Sequence, residues 1–363
     1  MAVTRGSGGK AEAPGQYAGI SWARGNRLGS GVAFVTTPGP AVIIDAMEKP
    51  TTQAMPAGST DRDSILYQLA ARPSSLPPKL FYDRLGSTLF TAICELPEYY
   101  PTRTEAAIFR TAGNRIASQL SAGFRMIDLG AGDCRKAASL FADLRPATYV
   151  AVDISGEFLD NAVSALTREY AGIDMQALVR DFTRPWTIPD EWLADPLLYF
   201  YPGSSLGNFS PPAAHEFLLQ LPRSRTGDTA LLLGLDLVKP IEILEVAYDD
   251  PLGVTAAFNR NLLLHANRLL GTDFVLGDWA HRAWFNELDS RIEMHLSALR
   301  GLTVNWPGGS RRFAAGETIH TENSYKYRPG DIAPLLRAGG FELEQSYQDE
   351  RGWFSVVLAR ASR

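Results

Sequence analysis

Between residues 125 and 235 short apolar runs alternate with longer stretches of helical period. The runs 125–129, 149–153, 175–179, 197–201 and 230–235 are five or six residues long and carry apolar residues at successive positions, as strands covered on both faces do. Between them, 156–170 and 212–221 repeat apolar residues at helical spacing. Five strands, each followed by a crossover, predict an α/β fold with a mostly parallel, doubly wound sheet. The alternation breaks after Asp236. Residues 240–300 read as helical with little strand character, and a β-rich stretch begins at 291–299 and runs to about His320. The segments 341–347 and 353–359, around Asp349 to Gly352, read as a closing hairpin that completes a seven-stranded sheet with an antiparallel edge. A further helix starts near Asp63, with Ile65, Leu66 and Leu69 on one face. Ahead of it, residues 1–60 are rich in Gly, Ala, Pro, Ser and Thr and read as a disordered tail. Two short strands, 32–35 and 42–44, are expected within that tail. The resulting division is 61–103 with 240–325 as a second α+β domain, and 104–239 with 326–363 as the sheet domain.

Composition narrows the function. The 363-residue chain has 35 Lys and Arg against 40 Asp and Glu, a formal charge of −5, and no basic cluster. Nucleic acid is therefore not the expected partner. No apolar run approaches the roughly 20 residues that span a bilayer, so no membrane partner is expected. Two cysteines, Cys94 and Cys134, form neither a disulfide framework nor a zinc site, which suits a reducing cytoplasm. Five scattered histidines show no His-x-x-x-His or carboxylate–histidine spacing, and no metal is expected.

The stretch Met126-Ile-Asp-Leu-Gly-Ala-Gly-Asp-Cys-Arg-Lys136 carries the most chemistry. A strand enters Asp128, then Gly130 and Gly132, then a helix, the arrangement that brings backbone close to a nucleotide-like ligand. The third glycine of a dinucleotide fingerprint would fall at Cys134 and is missing, so a dehydrogenase is disfavoured. A second carboxylate, Asp153, ends the next strand, and the spacing fits S-adenosylmethionine better than a dinucleotide. Asp153 can accept from ribose hydroxyls, Asp181 from the adenine amine, Phe182 can flank the adenine ring, and Lys136 can reach a methionine carboxylate. The plainer roles are a helix cap for Asp153, a turn for Asp181 and a solvated lysine. Gly203-Ser-Ser-Leu-Gly-Asn208 forms a second glycine-bracketed loop at the same sheet edge. A loop there can orient an acceptor, with a plain Gly/Ser/Asn turn as the alternative, and Gly203 and Ser204 are expected on the cofactor side.

Several long strings then resemble one family. They are Lys79-Leu-Phe-Tyr-Asp83 with Gly86-Ser87, Leu96-Pro-Glu-Tyr-Tyr-Pro-Thr-Arg-Thr-Glu105, Leu237-Val-Lys239, Ala247-Tyr-Asp-Asp250, Gly253-Val-Thr-Ala-Ala-Phe-Asn-Arg-Asn261, Arg291-Ile-Glu-Met294 and Thr321-Glu-Asn-Ser324. From about residue 62 to its end the chain resembles the histidine-specific N-alpha-methyltransferases of ergothioneine biosynthesis. The resemblance implies a Rossmann-like class I methyltransferase with a second, substrate-binding domain. It implies S-adenosylmethionine as cofactor and free L-histidine as acceptor, methylated three times on its α-amino group to hercynine. It places histidine binding on Tyr99, Asn208, Tyr248, Glu322 and Ser324, and the cofactor on Gly130, Lys136, Asp153, Asp181 and Phe182. Tyr82 and Phe90 would line the space between sulfonium and amine, and Met294 would pack beside the ring. Tyr82, Asn208 and Tyr248 are the expected catalytic positions.

The chain departs from the family pattern at Asp133-Cys134-Arg135, at the aromatic run Tyr199-Phe-Tyr-Pro202, and at Asn323 and Tyr325. Strand alternation should turn Asn323 and Tyr325 away from the ring. Alternatives are a methyltransferase of the same fold acting on another aromatic amino acid such as tryptophan, or an inactive cofactor-binding regulator. Retention of Glu322, Ser324 and Met294 disfavours the first, and retention of all five acceptor positions disfavours the second. A monomeric, cytoplasmic enzyme is expected.

Overall fold

The computed structural model describes residues 60–362. The expected tail up to residue 59, with its two short strands, lies outside the described residues. The first helix, α1 (Asp61–Ala70), is closed by a capping box in which Thr60 and Asp63 satisfy each other's backbone N–H groups, and it buries Ile65 and Leu69.

The main sheet is built from β1 (Arg125–Leu129), β2 (Thr148–Asp153), β3 (Asp174–Val179), β4 (Leu197–Tyr201) and β5 (Thr229–Asp236), these five all parallel to one another. Numbering the second-lobe strands β6 (Trp279–Asn286), β7 (Arg291–Ala298) and β8 (Thr318–Tyr325), the closing hairpin is β9 (Phe341–Gln348) and β10 (Phe354–Ala361). The strand order is β9-β10-β5-β4-β1-β2-β3, with β10 antiparallel to β5 and β9 antiparallel to β10. This is the expected seven-stranded sheet with an antiparallel edge. The chain leaves β1 toward β3 on one side and returns through β4 and β5 on the other. The switch point therefore lies between β1 and β4, where such sheets bind their ligands.

Why these runs become strands is visible in β4, Leu-Leu-Tyr-Phe-Tyr, which is buried throughout. Leu197, Tyr199 and Tyr201 join one apolar cluster, while Leu198 and Phe200 join the cluster on the opposite face. The helices α3 (Tyr100–Ala117) and α5 (Pro211–Gln220) cover opposite faces, through Ile108, Phe109, Ala112 and Ile116 and through Ala214, Phe217 and Leu218.

A third apolar cluster gathers residues between 65 and 100 with residues between 244 and 319. Its sheet runs β6-β7-β8, antiparallel, with Ser74–Ser75 added in parallel on the free side of β8. The helix α6 (Val254–Leu270) lies on it through Phe258, Leu262, Leu263 and Ala266, and Phe81 stacks on Phe258 at 4.5 Å. Helix α3 crosses between the lobes: Tyr100 belongs to this third cluster and Ile108 onward to the main sheet. The reading of 240–300 as poor in strand needs correcting at β6. Trp279 is buried, but Arg282 and Trp284 on the other side are exposed, so this edge strand lacks a clean apolar alternation.

Candidate active site

The turn after β1 is shaped by its glycines. Gly130 and Gly132 both have positive φ, 76° and 53°, where a side chain would be strained. A Cβ added at Gly132 would meet nothing within 4 Å, and one at Gly130 only the Phe182 ring, at 3.6 Å. The hollow over Gly132 is open, and Asp153 stands at its rim. The Gly132 N–H donates to Asp153 Oδ2 and the Ser155 N–H to Oδ1, both at 3.0 Å. Each oxygen keeps a lone pair for a hydroxyl. The donor set fits an adenosyl ligand: carboxylate for ribose, aromatic ring for adenine, bare backbone for the remainder. Phe182 is held edge-on to Tyr201 at 5.9 Å. Asp181 also fills its plainer role, since its Oδ1 accepts from the Thr183 N–H at 3.1 Å and closes its own turn.

Lys136 is tied to α3. Its ammonium lies 2.8 Å from Glu105 Oε2, beside Gly203, and that bond uses one of its three protons. Glu105 Oε1 accepts the Gly203 N–H at 2.7 Å. Burial alone would lower the Lys136 pKa, but the Glu105 carboxylate lifts it above its ordinary value. Glu105 itself is a site residue that sequence reasoning missed, although it ends the string Leu96–Glu105. Ser204, also at positive φ, accepts the Asp236 N–H at 2.9 Å and so faces β5.

The acceptor side gathers its residues from four separate segments. Tyr82 follows the short helical turn Pro78–Phe81, Phe90 lies on α2 (Arg84–Cys94), and Tyr99 caps α3. Tyr82 meets Phe90 at 5.9 Å, Phe90 meets Tyr99 at 6.3 Å and Tyr99 meets Tyr248 at 6.1 Å, all edge-to-face. Tyr82 stands between the two halves of the site. Burial, then Glu322 and then Asp153, push its hydroxyl pKa well up.

On β8, Glu322 pairs opposite Met294 and Ser324 opposite Ile292, so all four share the inner face of the second sheet. Tyr248 Oη and Ser324 Oγ are hydrogen-bonded at 2.7 Å. Burial raises the Glu322 pKa to about 7, against the lowering effect of the Lys326 ammonium. The turn Ser205–Asn208 brings Asn208 to the same strand: a Cβ at Gly207 would stand 2.9 Å from the Tyr325 carbonyl.

Beneath the acceptor residues lies a buried charge cluster with no counterpart in the sequence reading. Asp236, at the end of β5, accepts from Tyr100 Oη at 2.6 Å, Lys239 at 2.5 Å and Lys326 at 2.8 Å. Burial opposes its charge, yet Lys326 and Lys239 hold its pKa below the usual carboxylate value. Tyr100 and Lys326 are far in sequence from Asp236 and Lys239, so no local pattern marks the cluster as a whole.

Two of the departures from the family pattern, Asn323 and Tyr325, fall away from the pocket, whereas 133–135 adjoin Gly132 and Tyr201 packs on Phe182. Asn323 Oδ1 accepts from His320 Nε2 at 2.9 Å, and Arg291 Nη1 donates to Tyr325 Oη at 2.5 Å, on the outer face as alternation requires. Tyr199 and Phe200 are core residues of β4. The outer face also corrects one statement: Glu293 and His295 are a carboxylate–histidine spacing, and β8 brings His320 to them. Glu293 there is already bonded to His295 at 3.0 Å, to Asn286 at 2.9 Å and to the Arg291 guanidinium at 2.7 Å. An arginine at that distance opposes a further cation.

Comparison with known proteins agrees with this geometry. Residues 61–361 match the family described as histidine-specific methyltransferase, SAM-dependent. The chain is 40% identical over 305 residues to a histidine N-alpha-methyltransferase of Mycolicibacterium smegmatis, covering 82% of this chain and 94% of that one. A histidine N-alpha-methyltransferase of Mycobacterium tuberculosis is 39% identical over the same length, with the same coverage. Ergothioneine biosynthesis protein 1 of Schizosaccharomyces pombe is 27% identical over 296 residues, 78% of this chain and 38% of that longer protein.

Proposed function

The chain belongs to the family of histidine-specific, S-adenosylmethionine-dependent methyltransferases, and from that premise we propose that it trimethylates the α-amino group of free L-histidine, giving hercynine for ergothioneine biosynthesis. The observation that carries this reading is the inner face of β8. Glu322 and Ser324 stand two apart on it, with Tyr248 bonded to Ser324 and Met294 directly opposite Glu322. That is a polar grip for an imidazole, set beside the aromatic row and the glycine-rich turn.

Gly130, Gly132, Asp153, Asp181, Phe182, Gly203 and Ser204 are the residues that would hold S-adenosylmethionine, with Lys136 supporting through Glu105. When bound, it supplies an electrophilic methyl group on a sulfonium that leaves readily. The chain's own task is positioning. Asn208 and Tyr248 hold the substrate's carboxylate and amine, and Glu322 and Ser324 hold its ring, so the nitrogen meets the methyl in line. Holding reactants in this way supplies on the order of 7–11 kcal/mol. The α-ammonium must lose a proton to water before each of the three methylations, because only the neutral amine carries a free electron pair. Tyr82 and Tyr99 present ring faces that accommodate the growing methylammonium, worth roughly 0.5–2 kcal/mol each.

We read 61–103 with 240–325 as the acceptor-binding domain and the remainder as the methyltransferase domain. The pocket is complete within one chain, which supports a monomer. No helix among the described residues is long and apolar enough to cross a membrane, and a cytoplasmic site of action fits the chemistry. The test is mass spectrometry of purified protein with S-adenosylmethionine and a panel of free amino acids that includes histidine and tryptophan. Histidine gaining three methyl groups is the expected product; transfer to a different amino acid alone would overturn the acceptor assignment.

A further inference from the structure

Lys326 follows β8 and is none of the residues that the family resemblance assigns to the site. It is buried, and its three ammonium protons all have partners: Tyr248 Oη at 2.9 Å, Ser324 Oγ at 2.8 Å and Asp236 Oδ2 at 2.8 Å. Asp236 ends β5, so a charge anchored in the seven-stranded sheet reaches the acceptor-side hydroxyls of the other lobe.

The hydrogen-bond count around these hydroxyls has a definite outcome. A hydroxyl has one proton and two lone pairs. Lys326 fills one lone pair on Tyr248 and one on Ser324. The 2.7 Å bond between the two oxygens uses one proton and one more lone pair. One O–H remains, and whichever oxygen keeps it has both lone pairs occupied. That oxygen faces a ligand as a donor only. A phenol is the stronger donor and weaker acceptor of the two, so the Tyr248 proton goes to Ser324 and the Ser324 O–H stays free. Tyr248 Oη then retains one lone pair, which suits an amine N–H. Without an ammonium at position 326, both oxygens regain a lone pair and the pair can present either polarity.

We propose that Lys326 is a specificity-determining positioning residue: anchored on Asp236, it fixes the Ser324 hydroxyl as a hydrogen-bond donor beside the Glu322 acceptor, so that the pocket selects a ring with one N–H and one bare nitrogen. The inference rests on the reading of free histidine as acceptor. A neutral imidazole satisfies both groups. An imidazolium offers two N–H groups and sets one of them against the Ser324 proton. A thiophene ring offers neither partner and leaves both buried groups unpaired, which is how a polar pocket rejects an isostere.

The first test uses the unaltered protein. Histidine labelled with nitrogen-15 in its ring is bound together with S-adenosylhomocysteine at about pH 6, where free imidazole is substantially protonated. Nitrogen chemical shifts separate protonated from bare nitrogens. One of each in the bound ring is the expected result, and two protonated nitrogens would overturn the proposal. If no bound histidine signal appears, the acceptor assignment itself fails and takes this proposal with it.

The second test is Lys326→Met, compared on histidine and β-(2-thienyl)alanine. The preference for histidine in kcat/KM should fall by about tenfold or more, through KM, while the Kd for S-adenosylhomocysteine stays within about twofold. Equal losses on both amino acids would make Lys326 a merely structural residue and overturn the assignment. Should the variant fail to fold, the labelled-histidine spectrum alone decides.

Discussion

Glu105 and Lys136 meet at 2.8 Å beneath the two glycine-rich turns, and the Glu105 side chain is only 1% exposed. Its second oxygen holds the Gly203 N–H. A single carboxylate on α3 therefore ties the turn after β4 to the helix start after β1, the two segments that flank the sheet's switch point. The lysine expected to meet the cofactor's carboxylate thus also helps to fix the loops around it.

Glu105→Gln tests this tie. The amide keeps the size and can still accept from Gly203, but it leaves the Lys136 ammonium without its counter-charge. Breaking a fully buried pair costs about 3–5 kcal/mol; because the Lys136 side chain is 38% exposed, about 1–3 kcal/mol is the expectation here. S-adenosylhomocysteine affinity, measured calorimetrically, should weaken by about tenfold. Unchanged affinity with lowered stability would confine Glu105 to the fold.

Tyr99 faces Tyr248 and Phe90 without being their only support, so removing its hydroxyl should spare the ring's role. Tyr99→Phe is expected to keep much of the activity. Tyr99→Leu removes the π face and should slow the second and third transfers more than the first, by about three- to thirtyfold for a loss of roughly 0.5–2 kcal/mol. Product distributions of mono-, di- and trimethylated histidine over time read this out. Equal slowing at every step in both variants would sink the idea.

Much of the site was legible in the chain. β1 and β4 match their expected bounds, and β2, β3 and β5 are each extended by a residue or two. β1, β2, β4 and β5 are buried almost throughout, and burial on both faces writes itself as an unbroken apolar run, whereas β3 at the sheet's edge is half-exposed. Gly130, Gly132 and Asp153 were legible because a tight turn and a strand-end carboxylate are local features. Lys326, Asp236, Lys239 and Tyr100 were not, because a buried ion cluster is defined only once distant segments pack. β6 was obscured for a different reason: an edge strand with Arg282 and Trp284 facing outward has no alternating signal to read.

Glu322 makes stability depend on pH. Its pKa in the ligand-free fold, about 7, lies above the unfolded value of 4.5, because burial disfavours the carboxylate. Below the unfolded value both states hold the proton, and no stability is lost. As pH rises toward 7 the unfolded chain ionises while the folded one does not, so stability falls across that window, by about 3 kcal/mol in total. Above it the difference is constant. Thermal unfolding of the ligand-free protein should therefore drop between pH 4.5 and 7, and Glu322→Gln should flatten this part of the profile. A profile that the substitution leaves unchanged would show that another group is responsible.

Gly234 on β5 is the space that Glu105 occupies. A Cβ there would stand 2.1 Å from Glu105 Oε1, closer than real contacts come, and the neighbouring Gly203 nitrogen and Phe354 ring leave little room to yield. Gly234→Ala should thus expel the carboxylate, lower stability by about 1–3 kcal/mol and weaken S-adenosylhomocysteine binding as Glu105→Gln does. Because the harm passes through one contact, it should not add to the loss of that contact. Glu105→Ala removes the side chain that the new methyl strikes, so the double variant should melt no lower than Glu105→Ala alone. A full double-mutant cycle by thermal unfolding measures the coupling. Additive losses would mean that Gly234 and Glu105 act separately, and that the glycine is there for its strand rather than for the ion pair beneath the two loops.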